Sequence, residues 1–338
     1  PQSRKRMLLR AVKEGDLPVL PEKQPPGDWF TAIEDLLEEA PGSEVPAWET
    51  GRIDRMVERG TLTRSKPIIT MGGSAGRSVA SASNAGGPSP TLKATPREVP
   101  RIIMPDGRVK RVTPRMMARL MGLPDSYPVP EHHGLAKTVL GNGVSGEVTR
   151  ALIQPLVDQV APEQPGILEQ PGMPRRVATS FSGAGTVEGA LEGAESVYTA
   201  EHDPKIIAQY NAAHGTSYEA RDVIDSDPAD VAEADPDIYH ASPVCKNFSK
   251  AKRLASADEL DLKSAESVAA VIREAAPPTV TVENVPAYAD TALFKLITDA
   301  LDEKGYTWDV VVHDAADYGA PQSRKRMLLR AVKEGDLP

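Results

Sequence analysis

Val177-Ala178-Thr179-Ser180-Phe181-Ser182-Gly183-Ala184-Gly185 is a short apolar run that breaks into a glycine-bearing turn. Residues 177–181 fit a buried strand, and Gly183 and Gly185 let the backbone approach a ligand. A helix is expected from about residue 186, its N-terminus offering free N–H groups. The same rhythm continues outward. Strands are expected at 197–200, at a segment ending in Arg221-Asp222-Val223, and at 237–241, 279–282 and 307–313. Helices are expected over 204–213, with Pro204 at its first position, over 256–275 and over 291–304. Strands alternating with helices imply an α/β fold with a parallel, doubly wound sheet, its ligand at the strands' carboxyl ends.

The other half lacks this rhythm. Residues 28–39 suggest a short acidic helix, followed by Gly/Ser/Pro-rich loops to about residue 100 that fit a small irregular domain. Helices are expected at 113–123, with Thr113 as N-cap and Pro114 following, and at 145–155.

The chain has 338 residues, enough for about two domains. One cysteine, Cys245, excludes an internal disulfide framework and a cysteine-built zinc site. No apolar run is long enough to span a bilayer, so the expectation is a reduced, soluble, intracellular protein. The net charge of −9 is uneven: residues 51–120 hold 14 Lys/Arg against 4 Asp/Glu. A basic segment in an acidic chain fits a polyanion-facing surface or a merely solvated one, and charge alone does not choose.

The first 18 residues, Pro1 to Pro18, recur unchanged as Pro321 to Pro338. Architectural repeats are approximate and periodic, so this one is of another kind. It looks like a chain closed into a circle and reopened with an overlap, Pro338 continuing as Val19. Tandem duplication, deliberate design and assembly from a circular template all fit. Met173, after the Pro/Gln/Gly-bearing stretch 161–172, reads equally as an ancestral start or an ordinary internal Met.

Chemistry-bearing residues gather at the expected strand ends. Glu201, in Glu201-His202-Asp203, is placed to accept from ribose hydroxyls, and Asp222 stands on the same edge. With the glycine turn, these favour a nucleoside-type cofactor. Cys245 lies in the polar loop Ser242-Pro243-Val244-Cys245-Lys246-Asn247-Phe248-Ser249, where a thiolate nucleophile belongs. Glu283-Asn284-Val285 follows the next strand, with a carboxylate able to act as an acid toward a ring nitrogen.

The ordered set resembles the cytosine-5 DNA methyltransferase family. It comprises Phe181-x-Gly183-x-Gly185, Glu201, Asp222, the Pro-x-Cys loop, Glu283-Asn284-Val285 and Tyr318-Gly319-x-Pro321-Gln322-x-Arg324-x-Arg326. Thr113 to Tyr127 is similar to the family's penultimate motif, Leu140-Gly141-Asn142-Gly143-Val144 to its final one, and Pro88 to Ala94 to the end of its target-recognition domain. The order is rotated, since the Gly-Asn motif precedes the glycine loop. Four departures stand out: Val244 where Pro is common, Lys246 for Gln, His202 for a larger aromatic, and Ser145 for Pro.

The resemblance implies a Rossmann-like S-adenosylmethionine-dependent methyltransferase sheet with a small target-recognition domain. The implied division is a duplicated strand segment at 1–18, recognition at 19–112, completing helices at 113–160, a linker at 161–176 and a catalytic domain at 177–338. Cys245 would attack C6 of a cytosine flipped out of the duplex, Glu283 would hold N3 and the exocyclic amine, and Arg326 would contact O2 with Arg324 organising the site. S-adenosylmethionine would lie among Phe181, Ser182, Gly183, Gly185, Thr186, Glu201, His202, Asp222, Val223, Pro243, Asn142 and Val144. Thr91, Leu92, Lys93, Asn284 and Ser249 would face double-stranded DNA, and the basic segment would line its cleft. No metal and no membrane are implied; a cognate restriction nuclease is a candidate partner, and a bacterial or phage-infected cytoplasm the implied location. An RNA cytosine-5 methyltransferase and a non-catalytic DNA-binding relative remain as alternatives. Only one copy of Gln-x-Arg-x-Arg can fill the slot beside 307–313, and its short connection favours the C-terminal copy.

Overall fold

The computed structural model describes residues 20–72, 82–95, 98–159, 174–244 and 259–333. The first half contains helix α1 (Ala47–Glu58) and four three-residue strands, β1 (Ile68–Thr70), β2 (Ala82–Asn84), β3 (Arg101–Ile103) and β4 (Val109–Arg111). These strands form an antiparallel sheet in the order β2-β1-β3-β4. This region is therefore more regular than the expected loops. The expected acidic helix at 28–39 is replaced by turns around a single 3-10 turn, Glu34–Leu36. Trp29 and Ile33 are wholly buried there, so packing rather than helix propensity sets the backbone.

Helix α2 (Pro114–Leu120) starts as expected, with Thr113 Oγ1 accepting from Met116 N at 3.3 Å and Pro114 at the first position. Helix α3 (His133–Asn142) was not expected as an element. The expected helix over 145–155 consists of α4 (Gly146–Val148), a wide turn Thr149–Ile153 and α5 (Gln154–Gln159).

The second half holds β5 (Arg175–Ser180), β6 (Ala194–Ala200), α6 (Pro204–His214), α7 (Pro228–Glu233), β7 (Ile238–Ala241), α8 (Glu259–Ala275), β8 (Thr279–Asn284), α9 (Ala292–Glu303), β9 (Thr307–Asp314) and β10 (Lys325–Val332). Its sheet runs β6-β5-β7-β8-β10-β9. The pairs β6/β5, β5/β7 and β7/β8 are parallel, but β10 is antiparallel to both β8 and β9. The expected all-parallel sheet is thus mixed at one edge. The ten residues between β9 and β10 are too few for a crossover, which takes a dozen or more, so the chain folds straight back.

Two further expectations are corrected. No helix begins at 186; glycines at 183, 185, 189 and 193 disfavour one, and the chain makes only the 3-10 turn Glu188–Ala190 before β6. No strand ends at Asp222: residues 216–222 carry no ladder, and Asp222 instead caps the 3-10 turn Val223–Asp225.

Side chains alternate across the sheet as its pleat requires. Ala178, Tyr239, Val282 and Leu329 pack on one face with residues of α8 and α9. Val177, Ile238, Val311 and Leu328 pack on the other with Val144, Val148, Leu152 and Val157. Helices α4 and α5, which precede the sheet in sequence, therefore cover its second face. The C-terminal copy of the repeat supplies β10; the N-terminal copy, residues 1–18, lies outside the described residues.

Candidate active site

The strand register sets the site. Leu328 of β10 pairs with Glu283 of β8, so Arg326, two residues earlier, shares the Glu283 face. Its Nε lies 2.8 Å from Glu283 Oε1, a close ion pair rather than an aligned hydrogen bond. Glu283 is only 5% exposed. Ser242 Oγ, just past β7, donates to Glu283 Oε2 at 3.5 Å. Asn284 Nδ2 donates to Pro243 O at 3.0 Å, tying the loop after β7 to the end of β8. That loop leads to Cys245, which with Ser249 lies outside the described residues.

Arg324 is nearly buried and donates to Leu92 O at 3.4 Å and Gly141 O at 3.1 Å. It joins β10 to the segment at Leu92 and to α3. Thr91 Oγ1 donates to Ser323 O at 2.6 Å, while Ser89 N donates to Pro321 O and Ser323 N to Ser89 O. Leu92 and Asn284, expected at DNA, are buried and present no surface to a duplex; Leu92 packs in the core and Asn284 braces the loop. Lys93 is half-buried.

The expected cofactor residues surround the carboxyl ends of β5 and β6. Gly183 and Gly185 hold φ of +57° and +72°, and Phe181 shares the left-handed region at +57°. Half-exposed Ser182 follows Phe181 in the turn. A Cβ on Gly185 would stand 2.1 Å from His214 Nε2, whereas one on Gly183 would meet open space. Val144 N donates to Thr186 Oγ1 at 2.9 Å, setting the Gly-Asn-Gly-Val segment against the glycine loop; Asn142 is exposed. Glu201 Oε1 accepts from Asp203 N at 2.9 Å and lies 3.0 Å from Nδ1 of exposed His202. Arg221 N donates to Glu201 O at 2.9 Å and so draws Asp222 to this edge without a strand. Asp222 is exposed, its Oδ1 accepting from Ile224 N, while Val223 and Pro243 are buried.

Beneath the turn lies a cluster of polar side chains, of which the sequence motifs include only Tyr127. Tyr127 Oη donates to Ala184 O at 2.5 Å, His214 Nε2 is 3.0 Å from Gly185 O, and Thr179 and Tyr210 hydroxyls donate to Glu188 Oε1. Burial raises the Tyr127 and Tyr210 phenols, which stay protonated. His240 and Thr281, in adjacent buried strands, were missed as well; a histidine inside an apolar strand, two residues before a polar loop, was the available signal. Burial pushes His240 down to about 4.

The basic segment is partly spent on internal pairs. Arg101 meets buried Glu49 at 2.9 Å, Arg64 meets Asp54, Arg108 meets Asp106, and Arg119 meets both Asp35 and Asp125. A cleft of about 730 Å³ elsewhere, lined by Asp28, Arg119, Leu123, Glu147 and Arg150, is likewise charge-matched. Among the described residues no cluster of three or more His, Cys, Asp or Glu could hold a metal, and no helix is long and apolar enough to cross a membrane.

A family profile described as C-5 cytosine-specific DNA methylase matches residues 1–158 and 176–337. The chain belongs to that family. This C-5 cytosine methylase chain is 26% identical to the Type II methyltransferase M.MthTI of Methanothermobacter thermautotrophicus over 165 residues, 47% of this chain and 49% of that protein. It is 29% identical to M.HhaI of Haemophilus parahaemolyticus (44% and 46% covered) and 30% to M.HaeII of Haemophilus aegyptius (44% and 48%). The chain thus spans about half the length of the curated relatives it matches. A solved S. pombe Dnmt2 methyltransferase aligns over 48% of this chain and 50% of its own, at 20% identity and TM-score 0.42. Family membership implies S-adenosylmethionine as methyl donor.

Proposed function

We propose that this chain transfers a methyl group from S-adenosylmethionine to C5 of cytosine in double-stranded DNA through a covalent Cys245 adduct. The observation that carries the reading is the Arg326–Glu283 pair, 2.8 Å apart, its carboxylate buried and its guanidinium partly exposed where the loop toward Cys245 leaves β7. A cytosine turned out of the stack would enter there. Arg326 would donate to O2, and Glu283 would protonate N3 as the Cys245 sulfur bonds to C6. Charge arising on the ring is thereby met by groups already in place. Bound S-adenosylmethionine supplies the methyl group to the resulting nucleophilic C5. Loss of the C5 proton to water and return of the N3 proton to Glu283 then re-form the ring double bond and expel the thiolate, with S-adenosylhomocysteine as the other product.

The residues present fit that donor. The turn at 181–185, with positive φ at Phe181, Gly183 and Gly185, leaves open space at Gly183; a backbone bond from Arg221 to Glu201 brings Asp222 near Glu201, and Val144 bonds to Thr186 just past the turn. Exposed His202 and Asn142 rim the site, and half-exposed Phe181 offers a ring for the adenine. Arg324 is a positioning residue, locking β10 to the recognition half and α3. Thr91, Lys93 and unpaired basic side chains of 51–120 would approach DNA phosphates. Recognition at 19–112, helices completing the catalytic domain at 113–160 and cofactor binding with catalysis at 177–338 form the working division. The two matched segments, and the seating of Val144 beside Thr186, support a rotated order. A companion restriction nuclease would fit the Type II relatives.

The test is incubation with labelled S-adenosylmethionine and DNA containing 5-fluorocytosine. A covalent protein–DNA adduct that disappears in Cys245→Ala is expected. Label on tRNA with no adduct on any DNA would replace this reading with RNA methylation. DNA retention without adduct or label transfer would leave a binding protein.

A further inference from the structure

Behind Glu283 a polar chain runs across two central strands of the sheet. His240 of β7 pairs in register with Thr281 of β8, and the two side chains share the Glu283 face. Thr281 Oγ1 lies 2.8 Å from His240 Nδ1, His240 Nε2 lies 3.2 Å from Ser242 Oγ, and Ser242 Oγ lies 3.5 Å from Glu283 Oε2. Thr281 and His240 are buried. Polar groups in such a place cost stability unless bonded, and an aliphatic pair would fill the same space without that demand. The chain ends at Thr281, away from solvent, so it is no route for protons to leave.

Each member can both donate and accept. With Glu283 ionised, Thr281 O–H donates to Nδ1, Nε2–H donates to Ser242 Oγ, and Ser242 O–H donates to Oε2. With a proton on Oε2, every direction reverses: Glu283 donates to Ser242, Ser242 to Nε2, and Nδ1–H to Thr281 Oγ1. The net change is one proton, gained or lost by Glu283. The imidazole carries a single proton in each state, on Nε2 in the first and on Nδ1 in the second; hydroxyl rotation does not carry it across the ring, and the two tautomers equilibrate by exchange with water through local opening. We propose that His240 and Ser242 are positioning residues that hold Glu283 in one place in both of its protonation states by reversing the direction of this chain. Burial keeps the imidazole neutral at working pH, so the chain answers by tautomer rather than by charge. Arg326 holds the other oxygen, Oε1, and so fixes which oxygen faces Ser242.

This rests on the reading of Glu283 as the acid at cytosine N3, but its first test needs no turnover. Long-range ¹H–¹⁵N spectra of the full chain at neutral pH, with His240 assigned by His240→Gln, report the tautomer directly. Nε2–H is expected in the unaltered protein. In Glu283→Gln, Arg326 retains the amide oxygen, the amide NH₂ faces Ser242, and Nδ1–H is expected. Added Ser242→Ala should abolish the difference. The same tautomer in the unaltered protein and Glu283→Gln, or an imidazolium at neutral pH, overturns the proposal. A second readout uses adduct formation. Ser242→Ala should slow it about tenfold to a hundredfold, as for a lost bond to a charged group, with DNA affinity unchanged, and Ser242→Thr should restore it. Equal rates in the Ala and Thr variants overturn the positioning role. Absence of any adduct in the unaltered protein would instead remove the methyl-transfer reading and leave the tautomer result standing.

Discussion

Gly183 and Gly185 both hold left-handed backbone, yet they face different surroundings. A Cβ at 183 meets nothing within 4 Å; at 185 it would collide with the ring of His214 at 2.1 Å and of Tyr210 at 2.8 Å. Gly183→Ala should therefore cost only the backbone term, about 1–2 kcal/mol. Gly185→Ala should add overpacking of roughly 1–3 kcal/mol and displace His214 from Gly185 O. Urea titration of the two variants checks the order; equal losses would contradict it. The glycine turn was legible as a turn because only glycine serves there cheaply. Which glycine is crowded was not, because His214 comes from the far end of α6. Phe181 at φ +57° carries similar strain at the same edge, as residues near ligand sites often do.

β10 is held by more than its ladders. Arg330 donates from Nε and Nη2 to both Asp309 oxygens, at 3.0 and 2.6 Å, with both side chains buried. Asp309→Ala would remove the two-point carboxylate partner of a buried guanidinium and should lower stability by about 3–5 kcal/mol. Arg330→Met with Asp309→Leu should recover most of that loss, as measured by denaturant midpoints. β5, β7 and β8 were legible because central strands are apolar runs bounded by turns. β1 to β4 were not: three residues each, they carry too little pattern to show a period. The antiparallel course of β10 was readable in principle, from a connection too short to cross over. Asp222 was placed on the right edge for the wrong reason, since a backbone bond from Arg221 to Glu201 brings it there.

For the molecule as a whole, acid should act through its buried imidazoles. His240 and His313 are both pushed down to about 4 by burial. The unfolded chain takes up these protons near pH 6.5, the folded one only near 4. Stability is therefore full above about pH 7 and falls as pH drops from 6.5 toward 4, by on the order of 3 kcal/mol for each histidine. Urea midpoints across that range should show the decline, flattened in His313→Asn; an unchanged midpoint down to pH 4.5 would contradict it. The charge map was legible only coarsely. Windowed composition registers a surplus over 51–120, but Asp35, Asp125 and Glu49, from the acidic neighbours, fold back onto Arg119 and Arg101.

The covering of the second sheet face by Val144, Val148, Leu152 and Val157 has a consequence for how the molecule is joined. Those helices bind β5 and β7 as a ligand binds a site. The intervening peptide bonds contribute only a local concentration that keeps the two partners together. Continuity of the backbone and continuity of the core are thus separate properties. The core constrains which surfaces meet and leaves open which of them is synthesised first.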